Sequence, residues 1–60
     1  MQSPALELMA AASAGETELV RSLLEGYTFS EGDLLVSLLL AEVSEHVPVT
    51  YLLEQKLKEL

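Results

Sequence analysis

The amino-acid sequence predicts an all-α domain of four short helices, arranged as two stacked helical hairpins. Residues that start and stop helices divide the 60-residue chain into four segments. Apolar residues recur at helical spacing within these segments, and the longest apolar run consists mostly of Leu and Ala, which favour helix. We therefore expect a single domain over residues 1–60, with hairpin 1 at about 3–26, a loop at 27–33 and hairpin 2 at about 34–60.

The ends of the first two helices are marked in the sequence. Ser3 is a capping residue and Pro4 suits the first helical position, where its missing N–H costs nothing. Gly15 ends the first helix because glycine tolerates the left-handed conformation found there. The second helix follows and ends at Gly26. Its predicted apolar face consists of Leu19, Val20, Leu23, Leu24 and Tyr27.

The third and fourth helices make up the second hairpin. Ser30 and Asp33 have the spacing of a capping box, and they precede the run "LLVSLLLAEV". This run is apolar on nearly every side, so we expect the third helix to be buried all round at the centre of the fold. The fourth helix begins at Pro48 and carries an apolar face of Val49, Leu52, Leu53, Leu57 and Leu60. The predicted core contains Leu8, Leu23, Leu38, Leu39 and Leu53.

The two halves of the chain correspond when the sequence is shifted by 30 positions, which aligns Ala11 with Ala41. The stretch "AASAGETELV" (residues 11–20), followed by "LLEG" (23–26), resembles the second half of an ankyrin repeat. Residues 41–49 and 52–54 resemble it more loosely, with His46 where the family often has histidine. The resemblance implies stacked helical hairpins over nearly the whole chain. Because the Thr-Pro-Leu-His signature of the family is absent, a compact four-helix domain of another family is the alternative.

The charge of the chain limits its partners. Ten acidic residues against Arg21, Lys56 and Lys58 give a formal net charge of −7. Nucleic acids and anionic membrane surfaces are bound through clustered Lys and Arg, so we expect neither as a partner. The acidic surface either attracts a basic patch on another protein or only keeps the domain in solution.

The sequence offers no catalytic constellation. His46 is the single histidine, and we interpret it as a helix-end histidine near a negative helix terminus rather than a metal ligand with Glu42 and Glu45. The six serines are scattered along the chain, without the motif of a nucleophilic serine. The three glycines have the spacing of residues at helix ends rather than that of a phosphate-binding loop. We therefore predict no enzyme activity, no cofactor and no metal. The absence of cysteine favours a reducing compartment, and we expect an intracellular, cytoplasmic location.

The run "LLVSLLLAEV" also holds more apolar residues than two hairpins normally cover, so some face must meet another surface. We interpret the chain as a docking or scaffold domain of a larger protein or assembly. It would bind a basic patch or an amphipathic helix on another protein. The alternative is a self-associating domain in which a second copy completes the fold, so that the dimer is the folding unit. The candidate partner-binding residues are Glu16, Glu18, Glu42 and Glu45 beside the hairpin turns, Tyr27 as an anchor, and Phe29, which we expect to fold back as a lid.

Overall fold

The computed structural model describes residues 3–60 and contains four α-helices. They are α1 (Pro4–Ala14), α2 (Thr17–Gly26), α3 (Glu31–Val43) and α4 (Val47–Lys58). No β-strand occurs in this part of the chain, so the predicted all-α class is confirmed. Short turns join α1 to α2 and α3 to α4, which produces the two predicted hairpins.

The predicted capping residues begin the helices as expected. The Ser3 Oγ accepts a hydrogen bond from the Leu6 N–H at 3.2 Å, and the Ser30 Oγ accepts one from the Asp33 N–H at 3.2 Å. Because Ser30 is the N-cap, Glu31 already belongs to the first turn of α3. The connection between the hairpins is therefore residues 27–30, and the prediction of a loop extending to residue 33 was wrong.

The two hairpin turns have the same conformation 30 positions apart. Gly15 has φ 75° and Glu45 has φ 61°, both in the left-handed region. In each turn, the N–H of the residue after the left-handed one donates to the carbonyl oxygen five residues earlier. This hydrogen bond is typical of helices that end with a left-handed residue. These bonds run from the Glu16 N–H to the Ala11 oxygen (3.0 Å) and from the His46 N–H to the Ala41 oxygen (2.9 Å).

The hairpins stack with like helices side by side. α1 contacts α2 within its own hairpin and α3 in the other, whereas α4 contacts α3 and α2. His46, at the start of α4, contacts the turn after α1, so the two turns lie at the same end of the molecule. The opposite end carries the 27–30 connection and the last residues of α4, which line one shared depression.

All four helices contribute to one hydrophobic core. The predicted core residues Leu8, Leu23 and Leu53 are buried, but Leu38 is only partly buried and Leu39 is 61% exposed. The expectation that α3 is buried all round was therefore wrong. The core consists of Leu8, Ala11, Ala12, Val20, Leu23, Leu24, Phe29, Leu34, Ala41, Val49 and Leu53.

The physical reason is that α3 has helix neighbours on only part of its circumference. It packs between α1 and α4, and its buried residues Leu34, Ser37 and Ala41 lie on one side. Within residues 3–60, no further helix or strand covers the remaining side. Other residues assigned to apolar faces also remain in solvent, namely Leu19, Tyr27 and Leu60.

Candidate protein-interaction surface

The exposed side of α3 forms an apolar stripe opposite the core. We call it the outer face, and it consists of Leu35, Val36, Leu39 and Val43. Positions 35, 39 and 43 are spaced by four residues and position 36 precedes 39 by three, so all four side chains lie on one face of the helix. These side chains are 45–78% exposed, although a monomeric domain usually keeps such residues apart.

The outer face is bordered by carboxylates. Glu31 and Glu42 are exposed residues of α3, and Glu45 follows in the turn to α4. A shallow groove at this end of α3 is lined by Glu42, Glu45, Val47 and Thr50. The Thr50 hydroxyl donates to the His46 carbonyl at 3.1 Å, which fixes that side chain beside the groove. The groove therefore combines an apolar wall with two negative charges.

The cationic residues lie on other elements. Arg21 is on α2, where its guanidinium Nη1 is 2.7 Å from the Glu18 Oε2. Lys56 and Lys58 are on α4, and the Lys56 Nζ is 3.3 Å from the Glu59 Oε1. The sequence holds no Lys or Arg between residues 21 and 56. The carboxylates that border the outer face therefore have no cationic neighbour from α3 itself or from the turns at either end of it.

The candidate binding residues from the sequence separate into two groups. Glu16, Glu18, Glu42 and Glu45 are exposed around the hairpin turns, whereas Tyr27 and Phe29 lie at the opposite end of the molecule. Only Glu42 and Glu45 adjoin the outer face. The residues of the outer face were missed as a site, because the sequence indicated surplus apolar surface without indicating which side of α3 would stay uncovered.

The two aromatic residues of the connection have different environments. Phe29 is 7% exposed and belongs to the core, in agreement with the expectation that it folds back. Tyr27 is 50% exposed, and its ring lies 6.2 Å from the Phe29 ring at an interplanar angle of 58°. Both line an open depression that also contains Gly26, Lys56 and Leu60. The Tyr27 side chain is therefore accessible to solvent, and its ring partly covers the Phe29 ring.

His46 has a structural environment. Its Nε2 lies 3.2 Å from the Ser13 carbonyl oxygen near the end of α1, and because a carbonyl can only accept, Nε2 is the donor. This carbonyl belongs to the C-terminal, negative end of α1, in the other hairpin, and not to the end of α3, the helix that precedes His46. Among residues 3–60, no three His, Asp or Glu side chains come together in a way that could hold a metal ion.

Across residues 3–60, the fold and surface together define an all-α domain of two stacked hairpins, in which no other helix covers the outer face of α3. Comparison with protein-family models, with curated proteins and with solved structures finds no match to this chain. None of the helices described in residues 3–60 has the length and apolar character needed to cross a membrane.

Proposed function

We propose that this chain is a non-catalytic protein-interaction domain and that it docks its partner on the outer face of α3. The observation that carries the proposal is the exposure of four large apolar side chains in one helical stripe, with Leu39 61% exposed and Val43 78% exposed. Burying such side chains against a partner removes apolar surface from water, which is the main driving force of protein association.

The folded core supports a monomeric docking domain over an obligate dimer. Leu8, Leu34 and Leu53 are at most 1% exposed within a single chain, so the core is closed without a second copy. The outer face lies on the side of α3 that points away from this core. A partner can therefore leave without opening the fold, as a docking domain requires.

The hairpins are, in this proposal, divergent ankyrin-like repeats. Two features support this view: the left-handed turn residues Gly15 and Glu45 recur 30 positions apart, and first helices pack on first helices. In stacked repeats, each unit buries its faces against its neighbours and leaves one extended surface for binding.

A random peptide-display selection on the immobilised domain tests the proposed function. We expect the selected peptides to lose binding to Leu39→Gln and to keep it with Leu19→Gln, a matched change at an exposed leucine of α2. Gln has nearly the helix propensity of Leu and adds no charge, so both variants should fold. Selected peptides that ignore Leu39→Gln, or an absence of any selected peptide, would contradict a docking role for the outer face.

A further inference from the structure

Resting on the proposed function, we infer that the occupant of the outer face is a basic amphipathic helix. Its apolar stripe would lie along α3, and its flanking Lys or Arg side chains would meet the glutamates at the border. Three features of the surface lead to this partner: its shape, its backbone chemistry and its charge.

The shape of the outer face suits a helix. The stripe runs along a 13-residue helix, which is about 20 Å long, and its side chains recur every three or four residues. A second helix presents its own side chains at the same intervals, so the two rows can interdigitate over about three turns. Docking of an amphipathic helix is the recognition mode that uses anchors at this spacing.

The backbone of α3 excludes one common way of binding a peptide, the addition of a strand to a sheet. An extended peptide adds to a sheet edge through unpaired backbone N–H and C=O groups. The outer face belongs to a helix, whose interior backbone groups are already paired within it, and residues 3–60 contain no strand. Contact must therefore be made by side chains, which favours a partner that is itself a helix.

The charge at the border selects a basic partner. Glu31, Glu42 and Glu45 are exposed beside the stripe, and no Lys or Arg occurs between residues 21 and 56. The groove lined by Glu42, Glu45, Val47 and Thr50 is where we place a long cationic side chain of the partner. The aliphatic stem of a Lys or Arg can pack on Val47 while its charged group reaches the carboxylates. Such border charges contribute mainly to specificity and to the rate of association.

The same charges disfavour a second copy of this chain. Two outer faces in contact would bring Glu31, Glu42 and Glu45 of each copy together. The cationic residues lie on other elements, Arg21 on α2 and Lys56 and Lys58 on α4, and Arg21 and Lys56 are already paired there. Each copy also carries a formal charge of −7. Like charges brought together at an interface oppose association.

Three synthetic peptides of about 14 residues test this inference, each with the same leucine stripe at helical spacing. Their flanking positions are Lys and Arg in the first peptide, Gln in the second and Glu in the third. Fluorescence anisotropy on the wild-type domain should show the basic peptide binding at least about tenfold more tightly than the acidic one. The neutral peptide should fall between them. The difference in affinity should shrink as the salt concentration rises from about 0.05 to about 0.5 M, because salt screens exposed charges that are further apart than the Debye length, which is about 10 Å at 0.1 M.

Variants separate the charge from the apolar stripe. The double variant Glu42→Gln with Glu45→Gln should lower the affinity for the basic peptide about three- to tenfold and leave the affinity for the neutral peptide unchanged. The control variant Glu25→Gln, at an exposed glutamate of α2, should leave the affinity for both peptides unchanged. Leu39→Gln should lower the affinity for all three peptides.

The possible failures are distinguishable. If the three peptides bind equally well and Leu39→Gln weakens them all, the outer face is a docking surface but the partner is not basic, and the inference is overturned. If wild type and Leu39→Gln bind every peptide alike, the proposed function fails as well. If sedimentation equilibrium shows a wild-type dimer that Leu39→Gln dissociates, the occupant is a second copy and the inference is overturned.

Discussion

The imidazole of His46, at the start of α4, donates a hydrogen bond to the carbonyl oxygen of Ser13, near the end of α1, across 3.2 Å. The two residues are 33 positions apart in the sequence, so the bond joins hairpin 2 to hairpin 1. The ring also lies against Gly15, where a Cβ atom would approach its Nδ1 to 2.5 Å. The absence of a side chain at Gly15 therefore permits this contact between the hairpins.

The contact predicts a strong difference between two glycine substitutions. Gly15→Ala should destabilise the domain by about 2 kcal/mol or more, because its φ of 75° costs an L-residue about 1–2 kcal/mol and the His46 ring must move. Gly26→Ala is the control, since nothing lies within 4 Å of its Cβ position and alanine favours the helix. Gly26→Ala should be neutral or stabilising by up to about 1 kcal/mol. Thermal unfolding followed by circular dichroism measures both, and equal melting shifts would contradict the assigned role of Gly15.

Ser37 is the buried polar residue of α3. It is 0% exposed, and among the described residues its Oγ has no hydrogen-bond partner. An unsatisfied buried hydroxyl costs about 1–3 kcal/mol, so Ser37→Ala should stabilise the domain by about 1 kcal/mol in urea unfolding. Ser22→Ala, at an exposed position of α2, gives the gain from helix propensity alone. If Ser37→Ala gains no more than Ser22→Ala, the hydroxyl is satisfied in solution.

Two leucines distinguish the core from the outer face. Leu53→Ala should cost about 2–5 kcal/mol, because Leu53 is 0% exposed. Leu39→Ala should stay within about 0.5 kcal/mol, as expected for a surface position. Chemical unfolding at several protein concentrations measures both variants. A large cost for Leu39→Ala that depends on concentration would show that a second copy covers the outer face.

The aromatic pair of the connection should behave unequally. Phe29→Ala should cost about 3 kcal/mol or more, because a ring that is only 7% exposed leaves a cavity. Tyr27→Ala should cost less than about 1 kcal/mol, mainly through its tilted contact with the Phe29 ring. Melting temperatures test the pair. Equal losses of stability in the two variants would mean that Tyr27 belongs to the core. If Tyr27→Ala lost peptide binding, the binding site would include the 27–30 connection.

Features that depend only on residues close in the sequence were predictable from it. The Ser3 and Ser30 caps and the left-handed Gly15 each act within a few positions of the chain, so their residue types indicate their roles. Burial on α3 was not predictable in this way. Leu34 and Leu39 have the same side chain, and only the placement of α1 and α4 decides that the first is buried and the second exposed.

The site was predictable only in outline for the same reason. The surplus of apolar residues indicated that some face would stay open, and Glu42 and Glu45 were among the expected binding residues. The position of the open face depends on which sides of α3 the other helices cover, and that is a tertiary property. The bond between His46 and Ser13 is likewise set by the stacking of the hairpins.

The central claim is that a partner docks on the outer face of α3, and amide chemical-shift mapping tests it most directly. The basic peptide is titrated into the ¹⁵N-labelled domain, and the shift of each backbone amide is followed. We predict the largest changes at Leu35, Val36, Leu39 and Val43 and in the groove beside Val47. Changes centred on the 27–30 connection, or spread evenly over all four helices, would contradict the claim.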